Sequence, residues 1–330
     1  MKAVVYGAGN IGRGFLGQLL YESGFHTVFV DVNRAVVEKI NQDGRYPIRI
    51  VSNEKAEERT IRNISAVDGN DGDLVSKSIA QCDVLFTAVG VNVLPFIAQN
   101  IANGIVGRHG GGLDIIICEN LLHADQYLRE LTDKYAPVPE NVGFVEASVG
   151  RMVPVMTEEM YEGNILRVWV EPFCTLPVDR LGFRNELPAI KNMLPSAPFA
   201  YHIQSKLYLH NMGHAVAAYL GLEKKYTFIW QAMGDEEIYD TVEHAMRYCA
   251  EGLAREHGVR LGEVADYARD LLVRFQNRHL GDTCERVGRD VKRKLAVDDR
   301  LLGAVALCNR HQLPTEPIKR GVMAALEFLR

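Results

Sequence analysis

Neither sign of charge dominates this chain: 37 Lys and Arg face 42 Asp and Glu, for a formal net charge of -5 and a pI near 6.1. A general affinity for nucleic acid or for an anionic membrane is therefore not expected. Six cysteines, at 82, 118, 174, 249, 284 and 308, form no C-x-x-C pair, so neither a zinc cluster nor a disulfide framework is expected, only reduced and mostly buried thiols. The start, MKAVVYGAGN, lacks the apolar stretch of a signal peptide, and no apolar run approaches bilayer length. These absences point to a cytoplasmic protein with no membrane partner. Internal repeats and low-complexity segments are absent too.

What is present is an ordinary globular composition, 47% hydrophobic and 24% charged, over 330 residues. That length exceeds one typical core, so two domains are expected, 1–198 and 199–330. The opening AVVYGAGNIGRGFLGQLLYESGFHTVFVDVN runs β-branched segment, glycine turn, amphipathic segment, second β segment. Gly7, Gly9 and Gly12 form G-x-G-x-x-G directly after the first segment, with Asn10 and Ile11 inside the turn. The first glycine permits the tight turn, the second lets backbone approach a pyrophosphate, and the third lets helix pack close to sheet. Free N–H groups and the positive dipole end of the following helix suit the phosphates. Asp31 ends the second β segment, where a carboxylate accepts from adenosine ribose hydroxyls and repels a 2′-phosphate, so the expected cofactor is NAD.

Further parallel strands are expected at 84–89, 114–118 and 143–148, with a helix at 95–103 and a loop at 104–112. Ligands of open α/β sheets lie beyond the carboxyl ends of the strands, which places Val89 and Glu119 at the cofactor and Asn120 near the substrate. Residues 165–173 read as a strand, and the four prolines of 176–198 suit a connection. Beyond Ala200 helices are expected at 206–222, 235–257, 263–276, 286–295 and 317–329. The fold class is thus a doubly wound α/β sheet of Rossmann type followed by a mainly α-helical domain, with a cleft between them.

The first helix of that second half carries KLYLHNMGH, three polar side chains on an otherwise apolar segment. At about 100° per residue, Asn211 lies roughly 140° around from Lys206 and His214 roughly 80°, so all three can reach one pocket. Taken singly, each is an ordinary snorkelling or hydrogen-bonded residue. A second constellation, Arg274 to Arg300, concentrates cations in an acidic chain. Arg286 and Lys294 there are about 80° apart on a continuous helix and can share one anion.

K-x-x-x-x-N-x-x-H at Lys206, Asn211 and His214, together with GAGNIGRGF, CEN at 118–120 and RF-x-N…D…R…K-L…DR from Arg274 to Arg300, resembles the polyol-specific long-chain dehydrogenases. The resemblance implies a metal-independent, NAD-linked interconversion of a secondary alcohol and a ketone. It implies that Lys206 exchanges the alcohol proton, that Asn120 and Asn211 donate to the developing alkoxide, and that His214 orients the substrate. It assigns Arg286 and Lys294 to the substrate, a small polyol or ketose expected to carry a phosphate. A base whose charge state is tuned by its site and pre-oriented amide donors are what such chemistry needs. One departure stands out: the family's V-D-R-I-x-P reads Val149-Gly150-Arg151-Met152-Val153-Pro154, with Gly150 in place of the aspartate and Glu146 the nearest carboxylate. No tyrosine has lysine four residues on, which excludes a short-chain dehydrogenase. A binding-only dinucleotide sensor is the alternative from another class, and it would have no use for Lys206.

Overall fold

The computed structural model describes residues 1–329 and divides into two compact units. The first holds Met1–Val51 and Ala56–Phe199; the second holds Ser52–Lys55 and the chain from Ala200 onward. No helix among the described residues is long and apolar enough to cross a membrane.

In the first unit the strands are β1 (Lys2–Tyr6), β2 (His26–Asp31), β3 (Arg45–Val51), β4 (Ala56–Arg62), β5 (Ile64–Asp68), β6 (Val84–Thr87), β7 (Leu113–Ile117), β8 (Val142–Glu146), β9 (Val168–Val170), β10 (Leu176–Asp179) and β11 (Met193–Ser196). The main sheet runs β5-β2-β1-β6-β7-β8, parallel throughout. In order of position along the sheet this is the doubly wound 3-2-1-4-5-6 arrangement, which reverses at β1/β6 and opens a crevice there. Both sheet faces are covered, as a parallel sheet requires. Ala3 and Val5 pack with Phe15, Leu16 and Leu19 on one face. Val4 and Tyr6 pack with Ile97, Ile101 and Ile115 on the other.

Two parts of this unit differ from the sequence expectation. The helix expected at 95–103 spans Leu94–Val106, so the glycine-rich stretch 104–112 is not all loop. Gly104 lies in the last turn because its missing side chain lets the helix pack on Ile79. The second difference is a small sheet, β4-β3-β9, whose hairpin strands Arg45–Val51 and Ala56–Arg62 carry too many charges to read as strand. The expected strand at 165–173 contributes only Val168–Val170 to it, and β10 and β11 pair in parallel within the proline-rich connection.

In the second unit a helix runs from Ala200 to Glu223, but Lys206–Asn211 is a π-turn between two α segments. Its last segment, Met212–Glu223, is buried almost all round. Helices Glu236–His257 and Leu261–Phe275 flank it, and Leu302–Arg310 and Glu316–Phe328 complete the unit. Gly213 makes close packing possible, since a Cβ there would press on Met246 Sδ at 2.6 Å and Phe275 at 3.2 Å. The expected helix 286–295 is two short ones, Cys284–Gly288 and Val291–Lys294, because Asp290 adopts left-handed backbone, φ 57°, between them. Arg286 and Lys294 therefore do not share one helix face.

Candidate active site

The first unit's candidate site is built from backbone. Gly7 sits at φ 107°, a conformation costly for side chains, and a Cβ there would collide with the Ala88 carbonyl. A Cβ on Gly12 would collide with the Gly7 carbonyl. A Cβ on Gly9, by contrast, would meet nothing within 4 Å. The protein's own packing does not demand glycine at position 9, and the open space in front of it is what close approach of a pyrophosphate requires. Asn10 and Ile11 begin the helix that follows, and Gly12–Leu16 is a π-turn closed by Gly17 N–H on the Gly12 carbonyl.

Charged side chains hold this turn in shape. Asp31 accepts from Ala8 N–H with one oxygen at 2.7 Å and from Asn33 N–H with the other at 2.8 Å. Each carboxylate oxygen has two acceptor sites, so capacity for ribose hydroxyls remains. Arg13, buried, donates from Nε to the Ala8 carbonyl at 2.6 Å and from Nη1 to the Ile165 carbonyl at 3.0 Å. Burial lowers its pKa from the usual arginine value. Glu119, also buried, clamps the end of β6, its two oxygens accepting from Val89 N–H and Gly90 N–H at 2.8 Å each. Asn120 follows it, exposed. Glu146 accepts from His123 N–H at 2.8 Å, and burial together with Asp125 raises its pKa. Gly150 is buried, and the nearby buried carboxylate is Glu171, which accepts from Met152 N–H at 2.5 Å.

The second unit's candidate site is built from side chains. An i→i+5 hydrogen bond, Met212 N–H to the Leu207 carbonyl, defines the π-turn. The wider π-turn brings residues five apart closer to one face than the α-helical angle does, so Lys206 and Asn211 diverge less than an α-helix would give. His214, one turn on, stacks on Phe275 with ring centroids 5.0 Å apart and planes within 6°. Its Nε2 lies 3.5 Å from Asp282 Oδ2. Burial, then the cations Arg286, Arg300, Lys294 and Arg274, pull the His214 pKa down to about 3, so the ring is neutral at physiological pH. His210 is buried 6.0 Å from His214 and 5.8 Å from Phe275. Its pKa falls well below the usual range for the same reasons, with Lys206 among the contributing cations.

Arg286 pairs with the buried Asp282. Lys294, also buried, donates its ammonium protons to the carbonyls of Val287 and Arg289 and thereby caps the helix Cys284–Gly288. Desolvation and the neighbouring Arg300 and Arg293 hold its pKa at about 8. Among the described residues no three His, Cys, Asp or Glu side chains gather as a metal site.

Residues 1–192 match the family model described as the mannitol dehydrogenase Rossmann domain, and 199–330 match that of the mannitol dehydrogenase C-terminal domain. The chain belongs to the mannitol dehydrogenase family. Among solved structures, D-sorbitol dehydrogenase in substrate-free form superposes with a TM-score of 0.84 at 16% identity, over 99% of this chain and 80% of that one. The Pseudomonas fluorescens mannitol 2-dehydrogenase, a ternary complex with NAD and D-mannitol, gives 0.75 at 15% identity, over 100% and 79%. D-Mandelate dehydrogenase with NADH and anilino(oxo)acetate gives 0.52 at 14%, over 99% and 97%. At such identities the likeness is one of fold, and the polyol dehydrogenase assignment rests on the family models.

Within this mannitol dehydrogenase-family chain the sequence pattern had assigned no role to Arg13, His210, Arg274, Phe275 or Asp282. The signals existed: Arg274, Phe275 and Asp282 stand in the quoted RF-x-N…D pattern, and His210 is a fourth polar residue on the apolar helix. A buried histidine in an apolar stretch reads as core until its neighbours in space are known.

Proposed function

We propose that the chain interconverts mannitol 1-phosphate and fructose 6-phosphate with NAD. The cofactor is held at the Gly7–Gly12 turn and the end of β6 and, when bound, supplies the acceptor and donor of the hydride. Asp31, which presents a carboxylate at the ribose position, is the reason for NAD rather than NADP, the exposed Arg34 nearby being paired with Glu38. Lys206 takes the proton from the reacting hydroxyl and returns it to the ketone oxygen in reverse. Asn211 and Asn120 donate to that oxygen as charge develops on it, which costs no reorganisation if the amides are already oriented. His214, neutral, orients the carbon chain by accepting or donating one hydrogen bond without adding charge. Reduced cysteines throughout suit a cytoplasmic setting.

The observation that carries the phosphate is the electrostatics around His210 and His214. Five cations, Lys206, Arg274, Arg286, Lys294 and Arg300, act on the two imidazoles. Asp270, Asp282 and Asp299 pair with Arg274, Arg286 and Arg300. Cations gathered around two neutral imidazoles favour an anionic substrate. A second reading, an unphosphorylated polyol or hexuronate, is favoured by the engagement of Arg286 with Asp282 and of Lys294 with backbone carbonyls.

The deciding experiment follows NADH oxidation with fructose 6-phosphate and with fructose, each with wild type and Arg286→Ala. The phosphate reading expects a strong wild-type preference for the phosphate and a loss in kcat/KM about tenfold greater for it in the variant. Equal efficiency on both substrates, with an equal loss on mutation, leaves the unphosphorylated polyol.

A further inference from the structure

His214 Nε2 is sealed from solvent and has no hydrogen-bond partner within 3.5 Å geometry, yet it points at a carboxylate. No substrate atom can reach a nitrogen with no accessible surface, so this atom belongs to the protein's own wiring. The acceptor it faces, Asp282 Oδ2, is 3.5 Å away, and the other oxygen of the same carboxylate holds Arg286. An orphaned buried N–H is costly, and a shift of a few tenths of an ångström closes this bond. Phe275 stacks flat on the ring and confines that shift to the ring plane.

We propose that Asp282 is a positioning residue that fixes His214 as the Nε2–H tautomer, leaving its Nδ1 lone pair to accept a hydrogen bond from a hydroxyl of the polyol chain, and that the same carboxylate sets Arg286. The consequence for specificity rests on the polyol reading above. A neutral acceptor at this place welcomes a hydroxyl, which has a proton to give, and disfavours a carboxylate or a bare ketone, which has none. One carboxylate thereby links the group that orients the chain to the cation at its far end. Orientation of a histidine by a buried carboxylate on its remote nitrogen is the arrangement that fixes tautomers in hydrolytic triads. Here it serves recognition, since Lys206 exchanges the proton.

The test reads the tautomer directly, from ring-nitrogen NMR of protein labelled with 15N-histidine, with His214 assigned by the loss of its signals in His214→Gln. Near neutral pH the wild type should show a protonated Nε2 and a bare Nδ1. In Asp282→Asn the amide oxygen keeps Arg286 and the NH2 turns toward Nε2, so the tautomer should invert, with kcat/KM falling about 10²-fold while NADH affinity holds. A wild-type ring protonated on Nδ1, or an Asp282→Asn ring with unchanged tautomer, overturns the assignment. If Asp282→Asn does not fold, the wild-type spectrum decides by itself. Absence of polyol phosphate turnover would overturn the proposed reaction, whereas the ring-nitrogen spectrum tests the tautomer independently of any substrate.

Discussion

Both units begin their functional region with a helix that contains a π-turn, Gly12–Leu16 in one and Lys206–Asn211 in the other, yet the two turns serve opposite kinds of site. In the first, the groups on offer are peptide N–H groups and empty space, and the charged side chains nearby spend themselves on backbone: Asp31 and Arg13 on Ala8, Glu119 on Val89 and Gly90. In the second, the groups on offer are side chains, carried on the π-turn and on the segments packed beside His214. A site of backbone fails when its scaffold fails. A site of side chains can lose a functional group and keep its fold.

The contrast makes Lys206→Ala the largest predicted effect on turnover and one of the smallest on structure. Loss of a positioned proton-transfer group costs about 10² to 10⁴ in rate. NADH binding, measured by fluorescence titration, should hold within a small factor because the cofactor turn lies in the other unit. A variant with near wild-type kcat across the pH range would reduce Lys206 to a structural residue. Glu119→Ala should behave the other way: both N–H groups lose a charged acceptor, and thermal unfolding should report a loss of about 2 kcal/mol. NADH affinity should fall with it. Unchanged stability together with lost NADH binding would show that Glu119 acts on the cofactor directly and would dissolve the distinction drawn between the two sites.

The same contrast explains which parts of the molecule could be read in advance. Gly7, Gly9, Gly12 and Asp31 declare themselves because a backbone site depends on local steric rules, and those rules fix residue type and spacing. Lys206, Asn211 and His214 were legible as a group on one helix, although the α-helical angles misplaced Asn211, since nothing in KLYLHNMGH signals the extra residue of a π-turn. The break at Asp290 was illegible for a related reason: aspartate tolerates left-handed backbone without requiring it. Asp282 and Phe275 became meaningful only through their position beside His214, more than sixty residues away in sequence. The charged hairpin Arg45–Arg62 was missed because charged residues and Pro47 interrupt its pattern, although Tyr46, Ile48 and Ile61 face the core and ion pairs such as Arg167 with Glu58 hold its outer side.

A smaller effect sharpens the reading of Asp31, whose carboxylate holds the turn and is proposed to take the ribose as well. Asp31→Asn keeps an oxygen for Ala8 N–H, leaves Asn33 N–H without its acceptor, and removes the charge that repels a 2′-phosphate. Wild type should favour NADH over NADPH, and the variant should lose about tenfold of that preference in kcat/KM together with about 1 kcal/mol of stability for the lost bond. Equal use of both cofactors by the wild type would remove Asp31 from the ribose site.

The smallest effect concerns Lys294, which lies in the side-chain site yet behaves like the charged groups of the backbone site, its ammonium turned onto carbonyls. Burial and neighbouring cations hold its pKa at about 8, below the ordinary lysine value of 10.5. The unfolded chain therefore binds more protons than the folded one between these two values, and stability must rise with pH across that window. Below about pH 8 both states carry the charge, and the folded state bears the full cost of burying it. Above 10.5 both states are neutral and the cost is gone. Lys294→Met removes the titration, so wild type should gain stability relative to the variant as pH rises from 8 toward 10.5, read from denaturant midpoints of both proteins at each pH. The carbonyls oppose this, because they accept from the charged ammonium and favour it. If the difference between the two proteins moves against wild type over that range, the carbonyl bonds outweigh desolvation, and Lys294 is a helix cap that keeps its charge rather than a cation held ready for a substrate.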